Sequence, residues 1–225
     1  MTRPQLVEFY FDFVSPYAYL ASRQIRELCS RNHVDLVMRP VLYAGLLDHW
    51  GLTGPAEVAP RREWLFKDVI RHAALSGIEF RGPRTHPFNS LTALRISLPE
   101  VAGLRQPEVI DAFWTAAWAR GGDLGTAQGV ADALDSAGLD AKPLLEAAQD
   151  PQVKAALRSA TEAAIGRGVF GVPTMIADGE LFWGNDRLPH LELFLQGRDP
   201  LDRALWADIL ARPRGSDRAA ARRPS

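Results

Sequence analysis

From Val7 to Val14 the chain is apolar on both alternating faces, broken only by Glu8 and Asp12. That pattern predicts a buried parallel strand over residues 5–14. Pro16 stands where a first helical turn tolerates it, and Tyr19, Leu20, Ile25 and Leu28 carry an apolar stripe as far as Ser30. Val34 to Val37 predict a second short strand. A strand, a helix and a strand in this order form a right-handed crossover, so the two strands run parallel.

The middle of the chain reads as helical. Pro60 opens a segment in which Leu65, Phe66, Val69, Ile70, Ala73 and Ala74 recur at helical spacing until Gly77. Asn89 is placed to cap a short helix through Leu98, and Pro107 opens another that ends before Gly121-Gly122. Ala127 to Leu134 and Leu144 to Ala148 predict two more. Asp150-Pro151 is a cap followed by proline at the first helical position. Two apolar runs follow, Thr174–Ala177 and Leu181–Trp183, separated by Asp178-Gly179, a dipeptide suited to a tight hairpin. A last helix is expected from Arg187 to Gln196, stopped by Gly197.

Composition narrows the class. The chain has 225 residues, 47% hydrophobic and 24% charged, which suits a soluble protein with a substantial core. A net charge of −1 gives no field to draw nucleic acid or an anionic membrane. No secretory leader pattern and no long apolar run are visible, so a cytoplasmic protein is expected. Cys29 is the sole cysteine, which excludes an intramolecular disulfide and a multi-cysteine metal site. The histidines are scattered without ligand spacing, so no metal is expected. Gly166 to Gly171 matches G-x-G-x-x-G, but it follows a helix and leads into Pro173, the reverse of a dinucleotide site.

Ser15-Pro16-Tyr17-Ala18, at the junction of the first strand and helix, resembles the redox-active turn of a thioredoxin-type fold with both cysteines replaced. Dithiol–disulfide exchange is therefore impossible at this turn. It can still host a thiolate brought by another molecule, because a helix N-terminus favours an anion. The longer stretch Phe11-Asp12-Phe13-Val14-Ser15-Pro16-Tyr17-Ala18-Tyr19-Leu20 resembles the start of the 2-hydroxychromene-2-carboxylate isomerase family. That family is related to the kappa-class glutathione transferases and, more distantly, to the DsbA oxidoreductases. Gly168-Val169-Phe170-Gly171-Val172-Pro173-Thr174 and Leu181-Phe182-Trp183-Gly184-Asn185-Asp186-Arg187-Leu188 resemble two further family segments, the first with a cis proline. The resemblance spans roughly residues 5–197.

It implies an α/β, thioredoxin-like fold with an inserted all-helical subdomain. Residues 1–40 and 150–197 would form the thioredoxin-like domain and 41–149 the insertion. Residues 198–211 would be a C-terminal segment with helical potential, and 212–225 a disordered basic tail. Ser15, by itself a helix cap, becomes the residue whose hydroxyl donates to the glutathione sulfur. Val172, ahead of Pro173, would pair through its backbone with the cysteinyl residue of glutathione. Asn185 and Asp186 are caps by themselves. By the resemblance they face the γ-glutamyl end, Asp186 taking its ammonium.

Arg61 and Trp64 depart from the family, which commonly has Lys and Tyr there. Arg61 is either a solvated helix-start charge or a partner for a carboxylate, and Trp64, Pro16, Tyr17 and Asn89 are assigned to the substrate pocket. Asn89 retains a plain capping role as the alternative. The implied activity is a glutathione-dependent isomerisation of a conjugated, aromatic carbonyl compound, with glutathione as cofactor. Net transfer of glutathione to an electrophile is the close alternative, and a non-catalytic glutathione- or peptide-binding domain is the alternative from another class. A homodimer is expected from the relatives.

Overall fold

The computed structural model describes residues 5–215. Its sheet has four strands in the order β2-β1-β3-β4: β1 Leu6–Phe11, β2 Asp35–Pro40, β3 Thr174–Ala177 and β4 Glu180–Trp183. β1 and β2 are parallel, joined by α1 (Pro16–Arg31), while β3 and β4 are antiparallel to their neighbours. Asp178 and Gly179, with φ of 48° and 82°, make the β3–β4 hairpin turn, the conformation for which Asp-Gly is favoured.

β1 is shorter than its apolar run. The Asp12 side chain accepts from the Val14 amide at 3.0 Å, which curls the backbone out of the ladder. β1 is buried on both faces. Phe9 and Phe11, with Phe13 just beyond, enter an aromatic core with Tyr19, Phe113, Trp114 and Trp118. Burying each of these phenylalanines contributes about 1.5–3 kcal/mol. Tyr10, on the other face, packs with Val41, Leu46, Val169, Val172 and Ile176. Glu8 on that face is answered by Arg39 and Arg167, which hold its carboxyl below the usual range against the opposing effect of burial.

Between β2 and the long helix α9 (Pro151–Gly166) lie seven helices: α2 (Tyr43–Trp50), α3 (Ala59–Leu75), α4 (Leu91–Ile96), α5 (Pro99–Ala102), α6 (Gln106–Trp114), α7 (Ala127–Asp135) and α8 (Ala141–Ala147). The periodicity showed neither α2 nor α5, both of them short. α4 starts two residues after Asn89, with Ser90 at its cap position, although the Asn89 side chain does accept from the Leu91 amide at 3.1 Å. α6 continues as a single π-helical turn, Thr115–Ala119. Asp150 caps α9 through the Gln152 amide at 2.7 Å. After β4 come α10 (Leu188–Leu195) and α11 (Arg203–Ala211). Most of the expected tail, residues 216–225, lies outside the described residues; residues 212–215 are exposed.

Candidate active site

The turn between β1 and α1 is held from three sides by the helical insertion. Asp12 is buried and accepts from the Val14 amide, the Tyr43 amide at 2.9 Å and the Ser90 hydroxyl at 2.6 Å. Burial holds its carboxyl above the usual range, against the pull of those hydrogen bonds. The Trp118 indole N–H donates to the Phe13 carbonyl at 2.8 Å. His86 Nε2 donates to the Val14 carbonyl at 2.9 Å, since a carbonyl can only accept. Burial lowers the His86 pKa, so the ring is neutral at physiological pH and Nε2 carries its proton. His86–Pro87 is a cis peptide bond.

Ser15 stands where this scaffold releases the chain into α1. It is the N-cap, with extended dihedrals, and its Oγ accepts from the Ala18 amide at 3.2 Å. The same hydroxyl donates to the Val172 carbonyl at 3.3 Å. Two positions 157 residues apart in the chain therefore meet directly. Val172–Pro173 is the second cis peptide bond. The Pro173 carbonyl accepts from the Gly184 amide at 2.9 Å, which ties the end of β4 to the same loop.

Gly184 has φ of 107°, and a Cβ there would lie 2.6 Å from an Asp186 carboxylate oxygen. Glycine at 184 thus permits the Asp186 side chain its position. Asp186 begins the turn leading into α10, is more than half exposed, and lies 3.3 Å from Arg187. Asn185 is buried and accepts from Gln24 of α1 at 3.3 Å, so its amide braces the turn against that helix.

Tyr17, on the first turn of α1, donates to Asp68 of α3 at 2.7 Å. Burial, then the Asp68 hydrogen bond and charge, then the Asp186 charge, all raise its pKa. The Tyr17 hydroxyl is therefore neutral and lies within the field of Asp186. Pro16 is buried at the N1 position of α1. Arg61 and Trp64, near the start of α3, are exposed; Arg61 donates to the Thr53 carbonyl at 3.4 Å. Asn89 is exposed and engaged with the Leu91 amide. The structure thus joins Ser15, Val172 and Pro173 directly and sets Asp186 and Tyr17 within electrostatic reach of each other. It ties Arg61 and Asn89 to their own loops.

Asp12, Ser90, His86 and Trp118 are positioning residues to which sequence reasoning gave no role, although His86-Pro87-Phe88-Asn89-Ser90 also resembles a family segment. A polar residue interrupting a buried apolar strand was the one local signal for Asp12. Cys29 is buried on α1, and burial pushes its thiol up to about 11, so it is no nucleophile for this site. Among the described residues no cluster of three or more His, Cys, Asp or Glu is arranged to hold a metal. None of their helices is long and apolar enough to cross a membrane.

Residues 6–196 match the DSBA-like thioredoxin domain family. The chain belongs to that family. It is 34% identical over 197 residues to 2-hydroxychromene-2-carboxylate isomerase of Sphingobium xenophagum, covering 84% of this chain and 97% of that protein. It is 30% identical over 210 residues to glutathione S-transferase kappa 2 of Caenorhabditis elegans, covering 87% and 93%. The solved structure of a 2-hydroxychromene-2-carboxylate isomerase superposes with a TM-score of 0.77 at 27% identity, covering 92% of this chain and all of the other. Within the DSBA-like family this chain sits among isomerases and transferases, and it is an enzyme of that kind. The thioredoxin-like fold expected from the three sequence blocks is the one observed.

Proposed function

We propose that this enzyme is a glutathione-dependent isomerase of the 2-hydroxychromene-2-carboxylate isomerase type, acting in the cytoplasm on a conjugated, aromatic carbonyl compound. The observation that carries the reading is the Ser15 hydroxyl, capping α1 and hydrogen-bonded to the carbonyl ahead of the cis proline. A thiol-reactive turn without a thiol calls for a ligand that brings one.

The residues present fit glutathione. Ser15 offers one O–H donor at a helix N-terminus, Val172 offers backbone edge-on as a strand would, and Asp186 offers an exposed carboxylate for an ammonium. When bound, glutathione supplies a thiolate that adds to a conjugated carbon and leaves again, so that the former double bond rotates in between.

The chain's own work is to hold that sulfur as an anion. A free thiol of pKa about 8.5 is only roughly 3% thiolate at pH 7. The Ser15 hydroxyl proton is directed at the Val172 carbonyl over 3.3 Å, a long bond. That carbonyl has a second lone pair for a ligand N–H, and the long Ser15 bond would leave the hydroxyl able to turn toward a sulfur held at the helix N-terminus. The Ala18 amide keeps Ser15 Oγ in place throughout, and the Asp12, His86 and Trp118 contacts keep the turn from shifting. Tyr17, its proton committed to Asp68, lines the site as a neutral hydroxyl. Arg61 and Trp64, both exposed near the start of α3, are the residues this reading assigns to the substrate. Arg61 offers a guanidinium fork to a carboxylate, which fits an aromatic acid or the glycyl end of glutathione.

The similarity to kappa transferases across 87% of the chain supports a second reading, net conjugation of glutathione to an electrophile at the same site. One experiment separates the two. Purified protein is given a conjugated aromatic carbonyl substrate and a small amount of reduced glutathione. Isomer formation with free glutathione unchanged supports the isomerase, and glutathione lost mole for mole supports the transferase. Turnover independent of glutathione, or none on any conjugated substrate, overturns the proposal.

A further inference from the structure

Arg61, the cation that the sequence singles out on α3, is tied to its own loop through the Thr53 carbonyl at 3.4 Å. Its neighbour Arg62 points about 100° away around the helix. The Arg62 guanidinium lies 5.2 Å from the centre of the Phe66 ring, one turn on. Phe66 in turn meets the His86 imidazole edge to face, with ring centres 5.1 Å apart and planes at 82°. His86 Nε2 donates to the Val14 carbonyl at 2.9 Å, directly ahead of Ser15. From the thiol-free turn outward the order is therefore backbone, imidazole, phenyl ring, guanidinium. Burial, and beyond it the Arg62 charge, lower the His86 pKa, so the guanidinium stands on the His86 side of α3.

That guanidinium is unanswered. Among the described residues it forms no ion pair and no side-chain hydrogen bond. The carboxylates of this stretch are engaged elsewhere. Glu57 accepts from the Gly54 amide at 2.8 Å, Glu63 from Lys67 at 2.5 Å, and Asp68 from Tyr17 at 2.7 Å. An exposed arginine needs no partner in water, but Arg62 is not an ordinary one. The Phe66 face already holds its planar fork, so less side-chain freedom is lost when a second group joins it. A planar anion matches the fork with two parallel N–H···O bonds. The surface between the fork and Ser15 carries two aromatic rings, Phe66 and His86, rather than further cations. An aromatic acid suits that wall better than an inorganic anion does.

We propose that Arg62 anchors the carboxylate of the second substrate and sets the preference of the enzyme for an aromatic acid over the corresponding neutral compound. This assignment rests on the glutathione-dependent reading, and it leaves Arg61 to the glycyl end of glutathione. The conjugated chain then runs along the Phe66–His86 wall toward the sulfur at Ser15. Phe66 is the positioning residue for the fork.

The test is calorimetric titration of the full-length protein, under saturating reduced glutathione, with trans-cinnamate and its neutral amide as probes. The wild type is expected to bind the acid about fivefold more tightly than the amide, the measure of an exposed ion pair. Arg62→Gln should abolish that preference and leave both the affinity for the amide and the circular dichroism unchanged. Arg62→Lys keeps the charge without the fork and should retain part of the preference, which serves if the glutamine variant folds poorly. Arg71→Gln removes another exposed cation of α3 and should leave the preference as it is. In turnover of a conjugated aromatic acid, Arg62→Gln should raise KM by a similar factor with kcat little changed. A wild type that binds both probes equally overturns the proposal, as does an Arg62→Gln protein that still prefers the acid. A preference lost in Arg61→Gln and kept in Arg62→Gln overturns it too and gives the carboxylate to Arg61. Repeating the titration without glutathione separates the two readings. An acid preference that needs Arg62, in a protein that neither binds glutathione nor turns over, supports the anchor and refutes the isomerase.

Discussion

Replacing Ser15 by alanine removes two contacts at once. The first is the cap on the Ala18 amide at 3.2 Å. Losing a serine cap costs about 0.5–2 kcal/mol, and in a domain of this size each kcal/mol lowers the melting temperature by roughly 2–4 °C. The second is the O–H donor that faces the sulfur. A hydrogen bond to a charged group contributes about 1.5–3 kcal/mol, so at about 1.36 kcal/mol per unit the bound thiol pKa rises by about one to two units. The α1 N-terminus remains and contributes about 0.3–1 kcal/mol, so thiolate stabilisation falls without vanishing. Turnover at neutral pH is expected to drop by a factor of roughly ten to a hundred and fifty.

The assay is the ultraviolet thiolate absorbance of bound glutathione, followed against pH in both proteins alongside turnover. Ser15→Thr, which keeps a hydroxyl, should recover part of the loss. Ser15→Cys should attack oxidised glutathione and hold it as a mixed disulfide, releasing one reduced glutathione, because Ala18 offers no second thiol to resolve it. A Ser15→Ala enzyme with unshifted thiol titration and wild-type turnover refutes the reasoning and leaves Ser15 as a helix cap.

Further outcomes follow from the same geometry. Asp186→Ala should weaken glutathione about fivefold in calorimetric titration with the thiol pKa unmoved, because an exposed ion pair contributes about 1 kcal/mol at most. Gly184→Ala should lower affinity at least as much, since its Cβ would fall 2.6 Å from Asp186 and a φ of 107° is strained for alanine. Asp12→Asn places an amide N–H against a backbone donor and should cost about 1–3 kcal/mol in denaturant unfolding. The wild-type carboxyl titrates above its ordinary value of 3.8 when folded. The folded state therefore keeps a proton that the unfolded chain loses, and the stability this residue contributes falls as pH rises from there through the folded value. The wild type's advantage over Asp12→Asn should shrink across that window. Cys29, with its thiol near 11, should resist alkylation in native protein at pH 8 and react once the chain is unfolded.

The parts of the site visible in the sequence are those set by local chemistry. Ser15-Pro16 announces a cap and first turn, Asp178-Gly179 a hairpin, and Asp150-Pro151 a helix start, because each depends on residues within one turn. The apolar run through Val14 overstated β1, since the residue that ends it, Asp12, does so with partners at 14, 43 and 90. His86 and Trp118 were invisible as positioning groups for the same reason. Each satisfies a carbonyl of the β1–α1 turn from more than seventy residues away, and no periodicity encodes that meeting. Asn185 looked like a cap by its place ahead of α10, and like a ligand residue only by the resemblance; its contact with Gln24 depends on how α1 packs. α11 lies in the segment 198–211, which was given helical potential only, after what was read as the last helix. That its apolar face is left open could emerge only from the packed structure.

The central claim is that this fold recognises glutathione through the thiol-free turn. The most direct measurement is the melting temperature of the wild-type protein with and without saturating reduced glutathione. At a hundred times its dissociation constant a native-state ligand adds about 2.7 kcal/mol, which for a chain of this size is about 5–10 °C. S-Methyl glutathione, which cannot form a thiolate, should shift it less. A melting curve that reduced glutathione leaves unmoved contradicts the account.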